Sequence, residues 1–142
     1  MVDVNYLAVL ACGVVAIVIG FLWYGPLFGK SWMKMTGVDQ ATPEQMAKGK
    51  KDMPIMAAIQ FVFALIMGCV LTYVIAYASA FKGGAGVAIG LESGFWAWLG
   101  FVAPVTVGMV LWEGKPWKLW AIVAGNWLVT LLLMGAIIGF LK

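Results

Sequence analysis

The sequence has 142 residues, of which 64% are hydrophobic and 11% are charged, and its mean hydropathy is +1.01. A soluble domain carries roughly a quarter of its residues as charged ones, so this composition excludes a soluble globular fold. Two cysteines and many aliphatic residues also exclude a disulfide-stapled secreted scaffold and a disordered chain. The chain is therefore predicted to be an integral membrane protein.

Four charge-free runs predict four membrane spans. Each run reaches the roughly 20 residues that a helix needs to cross about 30 Å of hydrocarbon. β-Spans are excluded because no segment alternates strictly, and the first run lacks the features of a cleaved signal peptide. The predicted fold class is an all-α integral membrane protein, a four-helix transmembrane bundle with a short interfacial helix after span one. One domain covers 1–142, with spans at about 5–25, 54–81, 86–112 and 118–140.

The charged residues predict the topology and narrow the function classes. All nine cations are lysines, and no histidine is present to act as a metal ligand or general base. Seven lysines lie in segment 26–53 and the loop before span four, against two on the other side. The positive-inside rule therefore predicts a cytoplasmic segment 26–53 and outside termini. We expect no enzyme activity, no metal, no cofactor and no nucleic-acid partner.

The segment after span one is predicted to contain two short helices. The first opens at Pro26 and stops at Gly37, with an apolar face that suits the membrane interface. Phe28, Trp32 and Met35 form the apolar face of this helix, and Lys30 and Lys34 lie on the opposite face. The second begins at Thr42, where Gln45 completes a capping box. A lysine-rich connector that only fixes topology is the alternative to a role in contacting lipid headgroups.

Small residues and polar residues inside the spans predict how the helices pack. Every span has small residues at spacings that allow close backbone approach, including Ala8 to Gly20, Ala64 to Ala76, and Gly135 with Gly139. Cys12 and Cys69 are expected to be inert in hydrocarbon, with a disulfide or reactive thiol as the alternative. Pro104 frees a backbone carbonyl, which Asn126 and Thr130 are predicted to satisfy. A substrate-binding polar pair is the other interpretation of these two residues.

Glu92 is the one acid that falls within a predicted span. It is about two turns deep if span three begins near Ala85 and interfacial if the span begins at Ser93. It shares a helical face with Thr106, and this face lies away from the small-residue side. Intramembrane acids suggest a protonatable site, whereas an interfacial carboxylate paired with Tyr77 or Lys82 is the structural alternative. The candidate substrate or ion residues are Glu92, Tyr77, Thr106 and Asn126.

Aromatic and charged residues also gather on the predicted cytoplasmic side. Trp23, Trp32 and Trp120 are typical of an aromatic belt, with a cation-binding cage as the alternative. One hypothesis is that the charged residues form a shared site for an anionic ligand or lipid headgroup. The alternative is that these stretches only form turns. The candidate lipid or anion residues are Lys30, Lys34, Trp32, Glu113 and Lys115.

Three stretches of the sequence resemble one bacterial family. They are residues 23–32 (WYGPLFGKSW), 98–101 (WLGF) and 113–120 (EGKPWKLW), and they are similar to the DUF1761 family of small four-span membrane proteins. The resemblance implies a four-helix protein of the bacterial inner membrane, and it implies no established activity.

Two functions are expected from these features together. The first is a small transporter or channel subunit, a homo-oligomer in the lipid bilayer that carries an unidentified ion or small molecule, with Glu92 as the protonatable site. The alternative is a structural or lipid-contacting membrane protein without transport activity.

Overall fold

A computed structural model describes all residues 1–142, and it contains helices joined by turns and no strands. Four helical segments are long and apolar enough to cross a membrane, which confirms the all-helical class and the four long apolar helices. Their bounds are Tyr6–Leu27, Pro43–Lys82, Val87–Leu111 and Trp117–Leu141.

The individual helices divide these segments further. The first segment is α1 (Tyr6–Leu22) followed by a π-helical turn (Trp23–Leu27), and α2 (Gly29–Thr36) comes next. A short 3₁₀ turn (Val38–Gln40) leads into α3 (Pro43–Lys82). The third segment is broken into α4 (Val87–Phe101), α5 (Ala103–Thr106) and α6 (Gly108–Leu111), and α7 (Trp117–Leu141) closes the chain.

Helix α7 is the centre of the bundle, and glycines fix its contact with α4. A Cβ atom added to Gly90 would overlap the carbonyl of Gly135, and one added to Gly135 would overlap the carbonyl of Gly90. A Cβ on Gly94 would likewise collide with the carbonyl of Leu131. The two helices therefore touch main chain to main chain, as small residues permit inside lipid. This is the close packing that the glycines of spans three and four predict.

Helices α1 and α3 pack through the other two sets of small residues. Ala8, Cys12 and Ala64 are buried, and a Cβ on Gly68 would lie 3.1 Å from the Cβ of Cys12. The Cys12 thiol lies 3.7 Å from the carbonyl oxygen of Met134, which ties α1 to α7 as well. Both Cys12 and Cys69 are free thiols in this fold.

Two predictions about the segment after span one need correction. Helix α2 begins at Gly29 and not at Pro26, because Pro26 lies inside the π-helical turn. The capping box of Thr42 and Gln45 is present, but the helix that it opens does not stop. It continues through Pro54 as one 40-residue helix. The ring of Pro54 removes only the bond to the carbonyl of Lys50, a residue exposed outside the apolar run.

The two ends of the bundle differ in what they carry. Asn5 caps α1, and its amide donates to the carbonyl of Leu141 at 3.0 Å, which brings both termini together. Lys82 and the turn into α4 lie at this same end, the terminal end. Helix α2, the start of α3 and the turn before α7 lie at the opposite end, the α2 end.

Candidate functional site

Glu92 lies at the terminal end of α4 in an ion pair with Lys82, the last residue of α3. Its carboxylate accepts a hydrogen bond from the Lys82 ammonium, and this is the one salt bridge in the chain. The two side chains are 43% and 44% exposed, Lys82 first. Helix α4 begins at Val87, so Glu92 is its sixth residue, about 8 Å from the helix start. The structure therefore places the carboxylate near one end of the bundle with Lys82 as its partner.

The other three candidate residues do not join Glu92. Tyr77 is 66% exposed and makes no hydrogen bond, so Lys82 and not a phenol is the partner of the acid. Thr106 lies at the other side of the kink, where its hydroxyl donates to the carbonyl of Val102 at 2.7 Å. Asn126 is buried within α7. The four predicted substrate or ion residues therefore do not form one site.

The prediction that Asn126 and Thr130 support the proline kink is wrong. Thr130 donates to the backbone carbonyl of Asn126 at 2.8 Å, and the Asn126 side-chain oxygen has no hydrogen-bond partner. The Thr106 hydroxyl bonds back to the Val102 carbonyl, which also accepts the Thr106 backbone N–H, and such back-bonding is typical of a bent helix. The indole of Trp120 then donates to the Thr106 hydroxyl at 3.1 Å.

Two tryptophans attach neighbouring helices to α7. The Trp23 indole donates to the carbonyl of Ile122, and the Trp98 indole donates to the carbonyl of Ala124, both at 2.8 Å. The ring of Trp23 also covers Gly125, where a Cβ would lie 3.2 Å from it. Sequence reasoning placed Trp23 in an aromatic belt and missed this contact. The available signal was that both tryptophans begin a stretch that carries the family resemblance.

A groove between α3 and α4 adjoins the Lys82–Glu92 pair. Its volume is about 620 Å³, and the residues that line it are apolar except Lys82, Glu92 and Ser93. The walls include Met67, Val70 and Val74 of α3 with Trp96 and Ala97 of α4, and Leu131 of α7 forms part of the floor. The α3–α4 groove exists because glycines draw α4 onto α7, while no such contact joins α4 to α3. Its α4 wall includes Glu92 and Trp96 of the face that carries the acid, together with Ser93 and Ala97, which lie between that face and the glycines.

The charged residues of the α2 end do not form a bonded cluster. Lys30, Glu113 and Lys115 are exposed, and no ion pair or hydrogen bond joins their side chains. Lys34 is exposed on α2, and the Trp32 ring packs edge-on against Tyr24 at 5.6 Å. The shared anion site remains a hypothesis about side chains that lie free at this end.

The comparison with known proteins identifies a family. The family model described as "Protein of unknown function (DUF1761)" matches residues 7–139. The chain therefore belongs to this family, and the match confirms the resemblance carried by the three stretches. No curated protein and no solved structure matches the chain.

Proposed function

We propose that this member of the DUF1761 family is a non-enzymatic membrane protein that binds an amphiphile in the α3–α4 groove. The observation that carries the proposal is that polar and apolar lining residues occupy different parts of the groove. Its polar side chains gather at the terminal end, and the remainder of its lining is apolar. A ligand with one charged end and one apolar chain complements that arrangement.

The length of the groove suits an acyl chain. On α3 the lining extends from Ile66 to Lys82, 16 residues further along, which is about 24 Å of helix. One leaflet contributes about half of the roughly 30 Å hydrocarbon core. Val70 and Trp96 in the walls are more than half exposed, so the groove opens sideways, where a chain enters from the bilayer.

The charges at the mouth favour a zwitterionic head group. Lys82 and Glu92 neutralise each other, so a purely anionic head group would pair with Lys82 and leave Glu92 without its partner. A head group with both a phosphate and an ammonium supplies a partner for each. Trp96, one turn from Glu92 in the groove wall, adds a ring face that attracts the ammonium.

Lipid binding to the purified protein tests the proposal. Native mass spectrometry would compare phosphatidylethanolamine with phosphatidylglycerol of the same acyl chains. We expect one bound phosphatidylethanolamine per chain, and a loss of preference of up to about fivefold in Glu92→Gln, the size expected for an exposed charge contact. Val70→Trp, which fills the groove from an exposed position, should abolish binding of both lipids.

The control removes the same charge at the other end of the bundle. Glu113→Gln should bind both lipids as the wild type does, because Glu113 is exposed at the α2 end, far from the groove. Unchanged binding in Val70→Trp, or a preference for the anionic lipid in the wild type, would contradict the proposal.

Transport of the same amphiphile is the second candidate function. The observation that favours it is the lateral opening of the groove beside a carboxylate that can exchange its partner. Because the groove has polar residues at one end only, an ion path through a single protomer gains no support from it. Proteoliposome currents under a proton gradient, with cations and amphiphilic cations, would support transport if Glu92→Gln abolished them. If neither the wild type nor Glu92→Gln gave a current, the protein would bind the amphiphile without transporting it.

A further inference from the structure

We infer that α3 pairs in parallel with α3 of a second copy of this chain, through six exposed residues on one side of its first half. This α3 seam consists of Met46, Gly49, Met53, Met56, Gln60 and Phe63. The same spacing continues into Met67, Val70 and Val74, so the seam lies on the groove side of α3 and ends before the groove begins at Ile66. The inference goes beyond amphiphile binding.

The first observation is a length of helix without a partner. Residues 43–51 precede the apolar run, all of them are exposed, and they extend α3 by about 14 Å beyond its packed part. An isolated helical segment of that length is marginally stable in water. Pairing with a second helix would bury Met46, the one apolar side chain of this extension that lies on the seam.

The second observation is the spacing of the exposed residues. Most residues of α3 from 43 to 63 are exposed, and among them positions 46, 49, 53, 56, 60 and 63 alternate in steps of three and four, which is the heptad pattern of paired helices. Met46, Met53, Met56 and Phe63 are 53%, 48%, 57% and 58% exposed. Gly49 lets the two backbones approach. The charged residues of the extension, Glu44, Lys48, Lys50 and Lys51, all lie off the seam, as does Asp52 after it.

Gln60 identifies the second copy as the partner. It lies seven residues past Met53, about 10 Å into the apolar run, and its neighbour Phe61 packs against Gly13 of α1. The Gln60 side chain is exposed and makes no hydrogen bond within the chain. Facing lipid, this amide would have no partner, which is costly at such a depth.

In a parallel two-fold pair, the Gln60 amide of each copy provides the hydrogen-bond partner for the other, and no other protein is needed. Symmetry places Gln60 of both copies at the same depth, and each amide has donors and an acceptor for the other. Glutamine side chains stabilise membrane helix pairs through such bonds. Copies inserted with the same topology are necessarily parallel, which agrees with the strong lysine bias between the two ends.

Cysteine cross-linking in membrane vesicles tests the seam. In a Cys12→Ala/Cys69→Ala background, single variants Met53→Cys and Met56→Cys should form dimers on oxidation. Ile55→Cys and Ala58→Cys, which lie in the same turns but off the seam, should not, since a disulfide needs Cα atoms within about 7 Å. Equal cross-linking at the four positions, or none at any of them, would overturn the inference.

A second measurement tests the role of Gln60. Dimer affinity in vesicles, measured by energy transfer between labelled copies, should fall about three- to twentyfold in Gln60→Leu. Ile59→Leu should leave it unchanged. A Gln60→Leu protein that pairs as tightly as the wild type would overturn the assignment. Both measurements are made without added lipid ligand, so their failure would leave the groove proposal standing.

Discussion

At the scale of single residues, the bundle contains two polar sites that are built differently. Lys82 and Glu92 are exposed and satisfy each other at the terminal end. Asn126 is 5% exposed, and its side-chain oxygen has no partner. An exposed pair can exchange its partners for those of a ligand, whereas a buried amide without a partner costs stability. The first is therefore suited to binding, and the second is a local weakness of α7.

The difference between Asn126 and Thr106 can be measured directly. Asn126→Leu removes a buried group that has no side-chain bond, so the free energy of unfolding should not fall. Thr106→Val removes a hydroxyl that donates to Val102 and accepts from Trp120, and it should cost about 1 kcal/mol. Thermal unfolding in detergent would compare the two variants. A larger loss in Asn126→Leu than in Thr106→Val would mean that the amide has a partner.

At the scale of helices, the close contact between α4 and α7 depends on glycine. Gly90→Ala places a methyl group against the backbone of Gly135, which cannot move aside as a flexible side chain can. We expect a loss of about 1–3 kcal/mol in the free energy of unfolding, typical of overpacking. Gly20→Ala is the matched control, because no atom lies within 4 Å of its Cβ position. That variant should be neutral or slightly stabilised, and equal losses in both would refute the assignment.

The four spans could be predicted from the sequence because hydrocarbon tolerates few charges, and charge-free runs therefore mark the helices. The small residues in every span also predicted that the helices pack closely. The sequence could not say that Gly90 meets Gly135, since each span offers small residues. For Trp23 the one signal was its place at the start of a stretch that carries the family resemblance, because a tryptophan at the interface and one that donates into the bundle fit the same position.

At the scale of the whole molecule, the groove and the seam follow from one asymmetry. Helix α7 holds α4 through glycines and the turn after α1 through Trp23, so α3 keeps one side that α7 and α4 do not cover. One part of that face borders the groove beside Glu92, and the other carries Gln60 and the extension toward the α2 end. The sequence of one span does not predict either feature, because both depend on how far α3 diverges from the neighbouring helices.

The same asymmetry makes the orientation of the molecule testable. Seven lysines gather toward the α2 end, while Lys82 and Lys142 lie at the terminal end with both chain termini. The positive-inside rule then predicts that Lys50 faces the cytoplasm and Lys142 the outside. In a Cys12→Ala/Cys69→Ala background, a membrane-impermeant maleimide added to intact bacteria should label Lys142→Cys. Lys50→Cys should react only after the cells are opened.

Each outcome of the labelling also bears on the ligand that the groove meets. Labelling of Lys142→Cys alone would place the Lys82–Glu92 pair at the outer leaflet, because Asn5 ties the two termini to that end of the bundle. Labelling of Lys50→Cys alone would mean that the chain has the inverse topology, with the Lys82–Glu92 end of the groove toward the cytoplasm. Equal labelling at both positions would mean insertion in two orientations. Antiparallel pairs would then form as well as parallel ones. In an antiparallel pair the two Gln60 side chains lie at different depths and cannot bond to each other.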